Sequence, residues 1–228
     1  MGAALRATGG ALRGVFAVAI LVGTFGGPVG AAQAGSLTGV EIDPAAGRLR
    51  AGPADEVALS AALEAVPEVL RPYAGMAAGA LASAIRQSRD EAMPQAAPIP
   101  SPIRVVLQSY FPAAVLGRVR WHVIDARKPS LEAVLAINKD VEAVTLDDVI
   151  MFADCRAALG RADLWAHELV HVLQYSGMGV ENFATLYLTS GGAGLESQAY
   201  DWQKYVAAQL KGRGAPLPPT GTRPSFCG

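Results

Sequence analysis

The chain has 228 residues, 51% of them hydrophobic and 17% charged, which is enough apolar material for a buried core and excludes the composition of a disordered segment. With 19 basic against 20 acidic residues the formal net charge is -1, so charge gives no reason to expect a nucleic-acid partner or attraction to an anionic membrane surface. One compact domain is the natural count for this length.

Residues 1–34 read as a targeting segment. Arg6 and Arg13 supply a positive start, residues 14–25 (GVFAVAILVGTF) form an uncharged apolar run, and Ala32-Gln33-Ala34 has the small-x-small pattern of a cleavage site. The run is too short for a comfortable membrane span, so the expectation is a cleaved signal peptide, a secreted or periplasmic mature protein, and no stable membrane insertion after cleavage.

Residues 35–53 are Gly- and Ala-rich and show little periodicity, which predicts an irregular or extended lead-in. Residues 54–93 carry apolar side chains at helical spacing interrupted at Pro67, which predicts two helices within a helical N-terminal region spanning 35–93. The run MPQAAPIPSP then predicts a Pro-rich linker, with 94–102 as its core. A short helix follows from Ile103 to about Tyr110. Residues 118–125 (RVRWHVID) alternate as a half-buried strand does, and residues 144–153 (VTLDDVIMFA) form a second β-branched run. Beyond Asp154 the pattern is helical in three pieces, 159–175, 180–188 and 195–210, with Gly177 and Gly179 and then Gly191, Gly192 and Gly194 at the breaks. The fold class is therefore α+β, a small sheet followed by a helical half over 103–212, with a Pro-rich tail at 213–228.

The two cysteines, Cys155 and Cys227, both lie in the part expected to be exported, where thiols that can meet are oxidised. A disulfide between them is the expected state, tying the Pro-rich tail to the segment just before the helical stretch 159–175.

The helix from Asp163 reads DLWAHELVHVLQY. His167 and His171 stand four residues apart, one above the other on one face, where two imidazoles can serve one tetrahedral ion. Glu168 lies beside the first of them, within reach of a water on that ion but not itself a ligand, which is the HExxH arrangement. In such a site zinc acidifies the water, and Glu168 takes its proton and passes it to a leaving amine. The neighbours Leu164, Trp165, Ala166, Leu169, Val170, Val172 and Leu173 make this helix apolar over most of its circumference, so a bare His-Glu-His set would be buried at a cost that a metal ion offsets.

A catalytic zinc uses three protein ligands and keeps one position open. Gly177 stands where a third histidine six residues after His171 would fall, which leaves an acidic ligand on a later helix. Glu196, opening the last helix in GLESQAYDWQ, is favoured, since a return through Gly191 and Gly192 brings it back to the metal helix; Glu181, close in sequence to the motif, is the rival. His122, on a strand beside Trp121, reads as a plain sheet histidine before a substrate-edge or transition-state group, and Tyr175, Tyr187 and Tyr200 are candidate oxyanion donors among which the sequence does not choose.

The stretch from Val119 to about Trp202, above all HELVHVLQYSGMGVENFATLYL followed by LESQAY, resembles the eCIS core domain, a family of HExxH metallopeptidase-like domains associated with extracellular contractile injection systems. The resemblance implies a zincin-like fold of gluzincin type, with His167, His171 and Glu196 as metal ligands and Glu168 as base, and it marks Gln174-Tyr175 as part of the same pattern. Tyr200 departs from the thermolysin-like gluzincins, which keep an aspartate four residues after the ligand glutamate; Asp201 is one position late. The expected function is an exported zinc metallopeptidase acting on a peptide or protein substrate, with a non-catalytic zinc-containing scaffold or an injection-system effector domain as the alternative.

Overall fold

A computed structural model of the protein describes residues 40–43, 48–53, 56–125, 141–213 and 224–227. The signal-peptide reading lies outside the described residues. Within the lead-in, strands β1 (Val40–Asp43) and β2 (Arg48–Ala51) form an antiparallel pair, the extended form of the two the sequence allows. Helix α1 (Glu56–Glu64) ends before Pro67, and a 3-10 turn (Glu68–Leu70) leads into α2 (Arg71–Ala92), so the interruption falls where proline forbids a continued helix. The buried face of α2 is Ala74, Ala77, Ala78, Leu81, Ile85 and Ser88. Its small side chains at helical spacing let α2 lie close against a later helix.

The Pro-rich stretch is no linker. After a 3-10 turn (Met93–Gln95) it supplies strand β3 (Ala97–Pro98), which pairs antiparallel with β4 (Arg120–Val123) through Ala97 opposite Trp121. Proline is tolerated at β3 because this strand is an edge of the sheet. The short helices α3 (Ser101–Leu107) and α4 (Ala113–Arg118) lie between these strands. The run 144–153 is two strands, β5 (Ala143–Leu146) and β6 (Val149–Phe152), joined by the tight turn Asp147-Asp148. Asp147 takes a positive φ of 57°, which aspartate tolerates better than most residues. Arg89 of α2 clamps the turn, its Nε and Nη2 donating to the two Asp148 carboxylate oxygens at 2.8 and 3.1 Å. The resulting sheet has the order β3-β4-β6-β5, with β4 and β6 parallel.

Helix α5 (Cys155–Gly160) starts at Asp154, whose side chain accepts from the Ala157 amide at 2.8 Å. The next two expected helices are one element, α6 (Ala162–Ser190), interrupted only at Gly179, with φ 81° and ψ 161°. That conformation is open to glycine and strained for other residues, and it turns the second half of α6 away from the axis of the first. Gly191 and Gly192, both at positive φ, end α6 and reverse the chain into α7 (Ala193–Arg213), which packs back along α6.

The first half of helix α6 is buried around its circumference, through Tyr175, and two hydrophobic clusters meet on the helix. One joins α3, α4, β4, β6, α5 and α7 to the first half of α6, with Trp121, Phe152 and Trp165 in contact at its centre. The other joins α2 and the strands β5 and β6 to Tyr175, Phe183 and the rest of the second half. The helical region before the Pro-rich stretch and the region after it thus share a core. Among the described residues no helix is long and apolar enough to cross a membrane.

Cys155 and Cys227 form a disulfide, with Cα atoms 5.8 Å apart. It holds the 3-10 turn Ser225–Cys227 against the sheet, and Phe226 packs on Trp121 and His122. A loop closed over 72 residues restricts the unfolded chain by about 4 kcal/mol in the entropy model. Replacing both cysteines by serine is therefore expected to lower the thermal midpoint by more than about 8 °C, with little change in the far-UV circular dichroism of the folded state.

Candidate metal centre

The first half of α6 presents His167, Glu168 and His171 with only 6, 3 and 5% of their surfaces exposed. The reversal at Gly191-Gly192 brings the first turn of α7 alongside, with the Glu196 amide donating to the Gly192 carbonyl at 2.8 Å. The turn is tight: a Cβ on Gly192 would stand 3.0 Å from the Tyr187 ring. As a result Glu196 Oε2 lies 3.3 Å from His167 Nε2, Glu196 Oε1 lies 3.6 Å from His171 Nε2, and the two Nε2 atoms are 3.2 Å apart. His167, His171 and Glu196 form a group able to hold a metal ion, their ligand atoms all lying within 4.8 Å of one another.

These spacings fit a tetrahedral ion. Two ligand atoms roughly 2.0–2.1 Å from one centre, at the tetrahedral angle, stand about 3.3 Å apart, and the three observed separations bracket that value. Two imidazole nitrogens facing each other at 3.2 Å also need a cation or a shared proton between them. The charge state suits the same end. Burial alone would raise the Glu196 carboxyl, but hydrogen bonds from His167 and His171 outweigh it and hold the group well below the usual carboxylate range.

Acid should empty such a site. Burial would lower the His171 pKa, yet the hydrogen bond to Glu196 and the charge of Glu168 outweigh it and raise the imidazole above its usual 6.5. A proton then competes with the ion from a pH above that value, because a ligating imidazole must be neutral. Metal affinity is expected to be full well above the raised pKa and to fall as the pH drops through it, which equilibrium dialysis against buffers of decreasing pH would measure.

Glu168 points to the sheet side of the helix. The Thr145 hydroxyl on β5 donates to Glu168 Oε2 at 2.6 Å, with the Glu168 carbonyl oxygen 3.2 Å away. His171 Nδ1 meets the Gln174 side-chain oxygen at 2.8 Å. His167 Nδ1, by contrast, is buried with no hydrogen-bond partner, and the Tyr200 ring packs edge-on against that imidazole at 4.6 Å between centroids. Asp201 is turned to solvent beside Lys204, so at this position packing by Tyr200 takes the place of a carboxylate.

A cleft of about 360 Å3 opens over these groups. Its floor is the metal group and Glu168, β5 runs along one side, and Leu81 and Ile85 of α2 close it together with Phe183 and Tyr187. Tyr175, Tyr187 and Tyr200 all reach it. Burial pushes the Tyr175 hydroxyl well above its usual pKa and raises that of Tyr187, so both remain protonated donors near neutral pH.

Several residues singled out in the sequence fall elsewhere. Glu181 is on the surface, where it pairs with Arg86 of α2, and is not part of the metal group. His122 stacks on Phe226 and its Nδ1 donates to the Val123 carbonyl at 2.7 Å, outside the cleft. Thr145, Leu81 and Ile85 were not singled out; a threonine in a β-branched run and a helix before a Pro-rich stretch carry no local mark of a site.

The fold and site together define an α+β domain in which two buried histidines of the central helix and a half-buried glutamate of the following helix form a group able to hold metal. Residues 98–179 of the chain match the family model of the eCIS core domain. The matched segment runs from β3 to the kink at Gly179 and includes His167, Glu168, His171, Gln174 and Thr145; Glu196 and α2 lie outside it. No curated protein and no solved structure matches the chain.

Proposed function

We propose that the protein is an exported zinc metallopeptidase. The observation that carries this reading is the convergence of His167, His171 and Glu196 at tetrahedral spacing with a fourth group, Glu168, that is outside the ligand set and held by Thr145 beside them in an open cleft. Two imidazoles and one carboxylate suit zinc among the common divalent ions, and the eCIS core domain match supports a peptidase-like domain. When bound, zinc supplies Lewis-acid chemistry, acidifying water and polarising a carbonyl. Glu168 then accepts the proton of the attacking water and delivers it to the leaving amine, while Thr145 holds one of its carboxylate oxygens and leaves the other to the cleft. The hydroxyl of Tyr187 or Tyr200, both lining the cleft, supplies a hydrogen-bond donor for the developing oxyanion, whereas that of Tyr175 already donates to the Thr145 carbonyl at 3.3 Å.

A peptide substrate is supported by β5. Among the described residues this strand is paired on one side only, by β6, and Val144 and Thr145 line the cleft. An extended peptide can add to such an edge through backbone hydrogen bonds. Export is supported by the pattern of residues 1–34 and by the disulfide.

Two measurements test the reading together: metal content of the purified protein by elemental analysis, and hydrolysis of a mixed peptide library with and without chelator. The expected result is about one zinc per chain and chelator-sensitive cleavage. Zinc without cleavage would favour a scaffold or adaptor that keeps its metal for stability, and no zinc would end both readings. A narrower expectation concerns Thr145. A hydrogen bond to a charged group is worth roughly 1.5–3 kcal/mol, so Thr145→Val should lower kcat by about 10- to 100-fold with KM and zinc content unchanged.

A further inference from the structure

Gln174 is wholly buried in an apolar stretch of α6, and its amide is in use on both sides. Its nitrogen donates to the Leu195 carbonyl at 3.1 Å and to the Gln198 side-chain oxygen at 3.1 Å, both on α7. Its oxygen faces His171 Nδ1 at 2.8 Å. The Leu195 carbonyl can only accept, so the amide nitrogen must face it and the oxygen must face the imidazole. The oxygen in turn can only accept, so Nδ1 of His171 carries the proton. In the neutral imidazole, Nε2 of His171, the atom turned to Glu196 and His167, then keeps its lone pair for a metal ion. The other end of the same amide holds the residue immediately before Glu196. One side chain thus sets the tautomer and tilt of one ligand and the position of the helix turn that brings another.

We propose that Gln174 is a positioning residue of the metal centre, locking His171 as an Nε2 ligand and fixing Glu196 against it through Leu195 and Gln198. This rests on the metal-centre reading and adds to it the device that keeps a ligand from each of two helices in mutual register. His167, which has no hydrogen bond at Nδ1, has no such support, so the load falls on the Gln174 network. Groups behind metal ligands commonly contribute about 10- to 100-fold in affinity.

The test compares wild type, Gln174→Met, which keeps length and loses both polar functions, and Gln174→Glu, which keeps an acceptor for His171 and loses the donors to α7. Zinc affinity is read by competition with a chromophoric chelator, ligand geometry by the visible absorption of the cobalt-loaded protein, and fold by thermal unfolding of the metal-free protein. Gln174→Met is expected to bind zinc about 10- to 100-fold more weakly and to show an altered cobalt spectrum. Gln174→Glu is expected to bind more tightly than Gln174→Met, yet with a cobalt spectrum that still departs from wild type. A purely structural role would lower the unfolding midpoint and leave zinc affinity and spectrum as in wild type, and that result would overturn the inference while sparing the metal centre. If the methionine variant does not fold, the glutamate variant decides: a wild-type spectrum overturns the proposal and a changed one supports it. Wild-type protein that binds neither zinc nor cobalt would overturn both the metal-centre reading and this one.

Discussion

Glu168→Gln is expected to abolish measurable peptide hydrolysis, lowering kcat by about 10²- to 10⁴-fold, the range general-base catalysis supplies, while zinc content stays at the wild-type level. The reason is the separation of roles. The three groups that meet are His167, His171 and Glu196; Glu168 lies on the same helix as the two histidines but turns to Thr145 on β5. Glutamine keeps the size and the hydrogen bond from the Thr145 hydroxyl and removes only the ability to take a proton. The fold should be indifferent to the change, since Thr145 still has an oxygen to bind. Peptide turnover and elemental analysis on the same preparation check it. Loss of activity together with loss of zinc would assign Glu168 to the ligands, and unchanged turnover would remove it from the chemistry.

The second large effect concerns the third ligand. Zinc held by a full set of protein ligands is worth roughly 10–16 kcal/mol, so one ligand of three carries about 3–5 kcal/mol, or two to four orders of magnitude in affinity. Glu196→Ala should weaken zinc by that factor, and His171→Ala by as much. It should also lose most of the thermal stabilisation that added zinc gives wild type, because a ligand stabilises a fold only in proportion to its occupancy. Glu181→Ala is the control. That carboxylate sits on the surface against Arg86, whose hydrogen bond holds its pKa below the ordinary range, and its removal should leave zinc affinity within about twofold, as surface pairs contribute little. Chelator competition with the variants side by side makes the comparison. Equal losses for Glu181→Ala and Glu196→Ala would contradict the geometry.

Much of this site is legible in the chain because it is local. His167 and His171 share a helix face by the period of the α-helix alone, and Glu168 follows from adjacency, so no tertiary contact is needed to place the three together. The apolar neighbours announce burial for the same reason. The helix break at Pro67 and the reversal at Gly191-Gly192 are equally local, because proline and positive φ act on a residue's own backbone. Where the reading of the chain went astray, the deciding energy came from elsewhere. The Pro-rich stretch forms β3 because Ala97 and Pro98 lie opposite Trp121 and Arg120 at a sheet edge, a pairing invisible in composition. The run 144–153 folds back at Asp147-Asp148 because Arg89, 59 residues earlier, holds the turn.

The sequence by itself determined the helical HExxH element, the α+β class, and a short list of acidic partners for the two histidines. Tertiary structure alone decided among those partners. It carried Glu181 to the surface with Arg86 and Glu196 to within 3.3 Å of His167, through a kink at Gly179, a tight turn at Gly192 and the Gln174 amide bridging α6 to α7. It also placed Thr145 on Glu168 and set Leu81 and Ile85 at the cleft. The physical reason is range: helix periodicity and backbone preference act over one or two turns, whereas the meeting of distant segments is fixed by the burial and hydrogen bonding of the whole core.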